Sequence, residues 1–182
     1  TSGVLAGKTL AYISAGFTNV CAIDTAGKAY CWGQNSSGEL GNGTYTGSGV
    51  PVAVDTSGVL AGRSLATIGV SETNVCALTT DGVGVCWGDS GGVGQLGSSI
   101  SFALTPAAVD TSGSLAGKTV SQLSVGGAHS CVLASDGNLY CWGFSGWGQR
   151  GDGTMSNVNT PAPVTMTGLL SGKTVSILDA GY

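Results

Sequence analysis

Cys21-Ala22-Ile23-Asp24-Thr25-Ala26-Gly27-Lys28-Ala29-Tyr30-Cys31-Trp32-Gly33 carries the pattern on which the fold turns. Its two cysteines stand equally far from Ala26, and a short polar turn separates two mostly apolar arms. The pattern returns 55 residues later around Cys76, Cys86 and Trp87, and after the same interval around Cys131, Cys141 and Trp142. Working outward, Thr1-Ser2-Gly3-Val4-Leu5-Ala6-Gly7-Lys8 reappears as residues 56–63, ending in Arg63. It appears again as residues 111–118, ending in Lys118. Pro51, Pro106 and Pro161 keep the interval, and a fourth unit opens at Met166 with Leu170, Gly172, Lys173, Val175 and Leu178 in register. The units are therefore 1–55, 56–110, 111–165 and 166–182, and such a period marks a repeat architecture.

Each complete unit reads as short strands. In the first, these are 10–15, 20–24, 28–32 and 50–54. Thr25-Ala26-Gly27, Thr80-Asp81-Gly82 and Ser135-Asp136-Gly137 are three-residue turns whose last position needs the positive φ that Gly accepts. Pro51 suits an edge strand, where no ladder donor is lost. No segment places apolar residues at i, i+3, i+4 and i+7. Four short strands per unit without helical periodicity predict an all-β protein built of β-propeller blades. The expected content is three four-stranded repeats plus the first strand of a fourth, as an incomplete ring or part of a larger assembly.

Composition narrows the function classes. Of 182 residues, 33 are Gly and 9% are charged, against about 25% in an average soluble protein. With 42% hydrophobic residues and a mean hydropathy of +0.29, charge-driven disorder is excluded. No apolar run approaches the roughly 18 residues of a membrane span. Six cations against ten carboxylates argue against a nucleic-acid partner. No charged n-region or apolar h-region follows Thr1, so the chain reads as processed or as an excerpt of a longer protein.

Units with Cys-Ala-x-x-x-x-Gly-x-x-x-Cys-Trp-Gly followed by Gly-x-Leu-Gly resemble the regulator-of-chromosome-condensation repeat family. The second motif stands here as Gly38-Glu39-Leu40-Gly41, Gly94-Gln95-Leu96-Gly97 and Gly148-Gln149-Arg150-Gly151. Ala128-His129-Ser130-Cys131 carries the likeness too. The resemblance covers the whole chain and implies a β-propeller, usually of seven blades. The paired cysteines and the Leu-Ala-Gly-Lys-Thr segment are similar to a bacterial, secreted or surface-attached branch. Exchange activity on a small GTPase belongs to some members only and is not carried over. Arg150 departs from the usual Leu, which sets the loop packing of the third unit apart.

In a hairpin centred on Ala26, Cys21 faces Cys31 on the neighbouring strand. Directly opposed Cα atoms lie roughly 4.5–5.5 Å apart, within reach of a disulfide. Cys76 with Cys86 and Cys131 with Cys141 repeat the geometry. Structural zinc favours closer pairs such as C-x2-C, and buried free thiols are the other alternative. Three bridges would place the protein in an oxidising compartment, extracellular or at a cell surface.

Chemistry beyond this is sparse. His129 is the only histidine, with Asn19 and Asn74 at the equivalent positions; a hydrogen bond tying the strand start is the expected role. Ser130 and His129 are adjacent on a strand and point to opposite faces, which defeats a Ser-His-Asp triad with Asp136. Gly92 to Gly97 and Gly146 to Gly151 match G-x-G-x-x-G, but no helix follows to bind a phosphate. No catalytic residue, metal site or cofactor is predicted. Lys8, Arg63, Lys118 and Lys173 share one repeat position and form an arc on one face, readable as an anion site or as solubility. Asn35-Ser36-Ser37 and Asn42-Gly43-Thr44 match N-glycosylation acceptors.

Trp32, Trp87 and Trp142 recur with the period and should pack between blades. Phe17, Tyr45, Phe102, Phe144 and Trp147 do not recur. A requirement of the scaffold would repeat in every blade, so these five in Gly/Ser-rich loops are the candidate binding residues. The sequence thus points to an extracellular or cell-surface scaffold that binds a protein or glycan through variable loops. The alternative is a structural surface protein whose repeats form a fibre, sheath or stalk. In either case the partners include further blades of the same chain or neighbouring copies, with no nucleic acid and no membrane insertion.

Overall fold

A computed structural model of the chain describes residues 3–181. It contains three antiparallel four-stranded sheets, each within one sequence unit. The first holds β1 (Leu10–Ala15), β2 (Asn19–Asp24), β3 (Ala29–Gly33) and β4 (Ser48–Ala53). The second holds β5 (Leu65–Val70), β6 (Asn74–Thr79), β7 (Gly84–Asp89) and β8 (Phe102–Ala108). The third holds β9 (Val120–Val125), β10 (His129–Ala134), β11 (Leu139–Gly143) and β12 (Val158–Pro163). Spatial order follows chain order in each sheet. The prolines sit on the edge strands β4, β8 and β12, as their missing N–H requires. Among the described residues the helical content is three single 3-10 turns, Gly3–Leu5, Gly58–Leu60 and Gly168–Leu170.

The hairpins close as the sequence predicts. Gly27, Gly82 and Gly137 take φ of +76°, +83° and +78°. Cys21 pairs with Cys31, Cys76 with Cys86 and Cys131 with Cys141, and all three pairs are disulfide-bonded. Their Cα atoms are 4.1 Å apart, closer than expected and in keeping with a non-hydrogen-bonded cross-strand pair.

The core lies between blades rather than within them. One cluster joins Ile23, Leu40 and Val54 of the first blade to Ile68, Val75, Val85 and Trp87 of the second. The other joins Leu78, Leu96 and Val109 to Val132, Tyr140 and Trp142 of the third. At each boundary a tryptophan reaches back into the preceding Gly-x-Leu-Gly loop. Trp87 Nε1–H donates to the Glu39 carbonyl at 2.8 Å, and Trp142 Nε1–H to the Gln95 carbonyl at 2.9 Å. A Cβ on Gly41 would stand 2.7 Å from Trp87 Nε1, so the loop's last glycine makes room for the ring. Trp87 and Trp142 are fully buried, whereas Trp32 is only half-buried. The three blades do not close a ring.

One expectation needs correction. Residues 174–181 do not form the first strand of a fourth blade. A strand is defined by its ladder, and among the described residues no ladder joins this segment to a neighbouring strand. The segment instead lies along β9 through side chains: Gln122 Nε2 donates to the Ser176 carbonyl, and the Ala180 N–H donates to Ser124 Oγ. Arg150 stands in place of Leu40 and Leu96 and is buried as they are, with Nη2 on the Asp152 carboxylate but Nε and Nη1 without a hydrogen-bond partner, so the loop packing of the third unit does differ from the other two.

Candidate functional site

Antiparallel order makes the two ends of each blade different. The β2–β3 hairpin opens at one end. The β1–β2 turn and the β3–β4 loop, with their counterparts in the other blades, share the opposite end. Phe17, Tyr45, Phe102, Phe144 and Trp147 all lie at this loop end.

The structure brings four of these five into two groups. Tyr45, in the loop of the first blade, stacks on Phe102 at the start of β8, with ring centroids 5.5 Å apart and planes at 25°. This pair spans the boundary between blades one and two. Phe144 and Trp147 line one open cavity of about 360 Å³ with Glu72, Gly127, Ala128, His129 and Gln149. The Phe144 N–H donates to the Ala128 carbonyl at 2.8 Å, and the Trp147 N–H donates to Gln149 Oε1 at 2.9 Å, which fixes the backbone beneath both rings. Gly146 leaves space for the Phe144 ring; a Cβ there would meet Cζ at 2.4 Å. Trp147 is 83% exposed, and Phe17, 78% exposed, stands apart from both groups.

Glu72 was not singled out by the sequence reading, yet it shared the same signal. It occupies the turn position of Phe17, and Gly127 holds that position in the third blade.

His129 does not play the expected capping role through its ring. Of its two equivalents, only Asn74 ties its turn, accepting from Ser71 Oγ at 2.5 Å. Asn19 is buried with neither side-chain atom partnered. The half-buried imidazole lines the cavity, and burial holds its pKa below the ordinary histidine value. The folded chain therefore binds this proton less readily than the unfolded chain. The linked stability is present above the unfolded pKa of about 6.5 and is lost as pH falls through the lower folded value. The wild type should lose more thermal stability than His129→Asn between about pH 7 and about pH 5. Parallel melting curves of the two proteins across that range would exclude the assignment.

The other end is electrostatically closed. Lys8 pairs with Asp24 at 3.0 Å, Arg63 with Asp81 at 3.0 Å and Lys118 with Asp136 at 3.9 Å. Burial works against charge at Asp24, but the Lys28 N–H, the Lys8 ammonium and the Tyr30 hydroxyl together hold its carboxyl below the usual range. At Tyr140, burial and the hydrogen bond to Asp136 push the phenol up to about 12. Three of the four cations of the expected arc are thus matched by hairpin carboxylates, which weakens its pull on an anion. Of the two glycosylation motifs, Asn35 is buried with its amide donating to the Thr44 and Thr46 carbonyls, so it is closed to modification.

No cluster of metal-ligating side chains and no helix long and apolar enough to cross a membrane occurs among the described residues. Fold and site define a class: a blade-repeat β-propeller scaffold with a variable aromatic loop end. The Regulator of chromosome condensation (RCC1) repeat matches residues 26–77 and 136–178, and a second form of the same repeat matches 11–39 and 120–149. The chain belongs to the RCC1 repeat family. It is 32% identical over 154 residues to the probable E3 ubiquitin-protein ligase HERC4 of Rattus norvegicus, covering 84% of this chain and 14% of that protein. It is 31% identical over 153 residues to the ultraviolet-B receptor UVR8 of Arabidopsis thaliana, covering 84% of this chain and 33% of the receptor. The chain thus spans a third or less of these relatives. Human WBSCR16 superposes with a TM-score of 0.83 at 22% identity, over 99% of this chain and 44% of that one. Prp20p of Saccharomyces cerevisiae, described with its binding to Gsp1p and histones, gives 0.78 at 18% identity, over 94% and 42%.

Proposed function

We propose that this chain is part of an RCC1-type propeller of an oxidising compartment, extracellular or at a cell surface, that binds a protein partner with its loop end. The observation that carries the reading is the placement of the non-repeating aromatics. All five fall at one end of the blades, and four of them assemble into a stacked pair and a lined cavity that the scaffold itself does not require. Exposed aromatics held on backbone-anchored loops supply contact area at low entropic cost. The three buried disulfides support the compartment, since such bonds persist where thiols are not kept reduced. Prp20p, a protein of the same fold, is described as binding proteins.

Trp147→Ala should reduce capture of the native partner from the protein's own surroundings at least about tenfold while leaving the melting temperature within about 1 °C, because the ring is exposed. A large loss of stability with unchanged capture would place Trp147 in the scaffold instead.

A second reading, an assembly of stacked copies, rests on one observation. The blade interface is heterologous, with a tryptophan on one side and a loop carbonyl on the other, and such interfaces can add copies head to tail. Trp32 and the Gln149 carbonyl are the two halves without a described partner. Sedimentation of the 182-residue chain at rising concentration tests it; a mass of 17.8 kDa throughout would remove it.

A further inference from the structure

The charges of the molecule are segregated by end. Lys8, Lys28, Arg63, Lys118 and Lys173 lie at the hairpin end with Asp24, Asp55, Asp81, Asp110 and Asp136, an even balance. The loop end carries Glu39, which is buried, with Glu72, Asp89, Asp152 and Asp179, against one cation, Arg150, which is buried and held by Asp152. The net charge of -4 therefore sits on the end that presents the aromatics.

The cavity between blades two and three concentrates this character. Its walls include the rings of Phe144 and Trp147, the exposed carboxylate of Glu72 and the imidazole of His129, and no lysine or arginine lines it. Aromatic faces attract cations through the negative potential above the ring, and more strongly where water is partly excluded. A carboxylate across the same cavity adds direct charge pairing, and the acidic surround steers a basic segment toward it. Phe144 is held at the wall by the Ala128 carbonyl and by the space left at Gly146, so one ring is positioned before any ligand arrives.

We infer that the cavity bounded by Glu72, His129, Phe144 and Trp147 receives an arginine side chain from a basic segment of the protein partner. This rests on the loop-end reading above and names the chemistry of what that end binds. Arginine fits the walls better than lysine. Its planar guanidinium stacks on aromatic faces while its N–H edge meets a carboxylate, whereas an ammonium acts as a point charge.

The test is a titration of the 182-residue chain with a fluorescent peptide, Gly-Gly-Arg-Gly-Arg-Gly-Gly, followed by anisotropy. Matched peptides with citrulline, lysine or glutamate replace the arginines. The arginine peptide should bind, the lysine peptide more weakly, and the citrulline and glutamate peptides at least about tenfold more weakly than arginine. Glu72→Gln and Trp147→Ala should each weaken arginine-peptide binding about tenfold, with melting temperatures unchanged. Raised salt should act chiefly through Glu72, so Glu72→Gln should flatten the salt dependence. Failure of the wild type to bind the arginine peptide at millimolar concentration would overturn the inference. So would equal binding of the citrulline peptide, or wild-type affinity in both variants. If Trp147→Ala still abolishes capture of the native partner in that case, the loop-end reading stands and only the cationic chemistry falls.

Discussion

Trp87→Ala should cost about 3–5 kcal/mol of folding stability, the range for removing a large, fully buried aromatic. The ring fills the space between the first two blades, and its Nε1–H satisfies the Glu39 carbonyl at 2.8 Å. Its loss leaves a cavity and an unpaired buried acceptor at the same place. Against a total stability of about 5–15 kcal/mol, this removes a large share. Trp32→Ala is the internal comparison. The residue has the same repeat position and the same strand, but it is only half-buried and has no described loop carbonyl to receive its N–H. Its loss should cost less than half as much. Denaturant unfolding of the two variants measures the difference, and equal losses would show that the tryptophan stabilises its own blade rather than the boundary.

Reduction of all three disulfides should have a still larger effect, spread evenly over the blades. Each bridge closes a segment of sequence separation 10. On the chain-entropy account, a loop of that length contributes about 2.7 kcal/mol. The bridges lie in separate hairpins and share no partners, so their contributions should add. All three together then rival the whole stability of the fold, and the fully reduced chain should be unfolded at 37 °C or nearly so. Cys21 and Cys31, like Cys76 and Cys86, are wholly enclosed, while Cys131 is 6% exposed. A mild reductant should therefore open Cys131–Cys141 first. Mass-spectrometric trapping of thiols over time reads the order. Simultaneous loss of all three would mean that global unfolding precedes reduction.

Much of the fold was legible because its determinants are local and repeated. The cysteines fix the hairpin register, the turn glycines supply positive φ, and the edge prolines mark the outer strands. The 3-10 turns were not legible, since three residues give no periodicity. The missing strand at 174–181 was not legible either, because a strand depends on a ladder partner that the segment's own sequence does not describe. The site was half legible. Non-recurrence picked out Phe144 and Trp147, but the grouping with Glu72 and His129 depends on how neighbouring blades pack. The ion pairs that answer Lys8, Arg63 and Lys118 escaped notice for a related reason. Asp24 stands just before its turn, whereas Asp81 and Asp136 stand within theirs, so the carboxylates do not share one repeat position.

The placement of the disulfides has a mechanical consequence. Each bridge lies inside one hairpin, and none crosses a blade boundary. A pull on the chain ends is therefore resisted between blades by noncovalent contacts alone: packing, the tryptophan hydrogen bonds, and backbone bonds such as the Leu65 N–H to the Gly27 carbonyl and the Gly43 N–H to the Leu104 carbonyl. Within a blade, the bridge withholds about 30 Å of the contour length that 10 extended residues would release. An oxidised chain stretched in a force experiment should yield blade by blade in short, equal steps. Adding reductant should lengthen every step by that same increment, making the molecule an extensible tether whose give is set by the redox state around it.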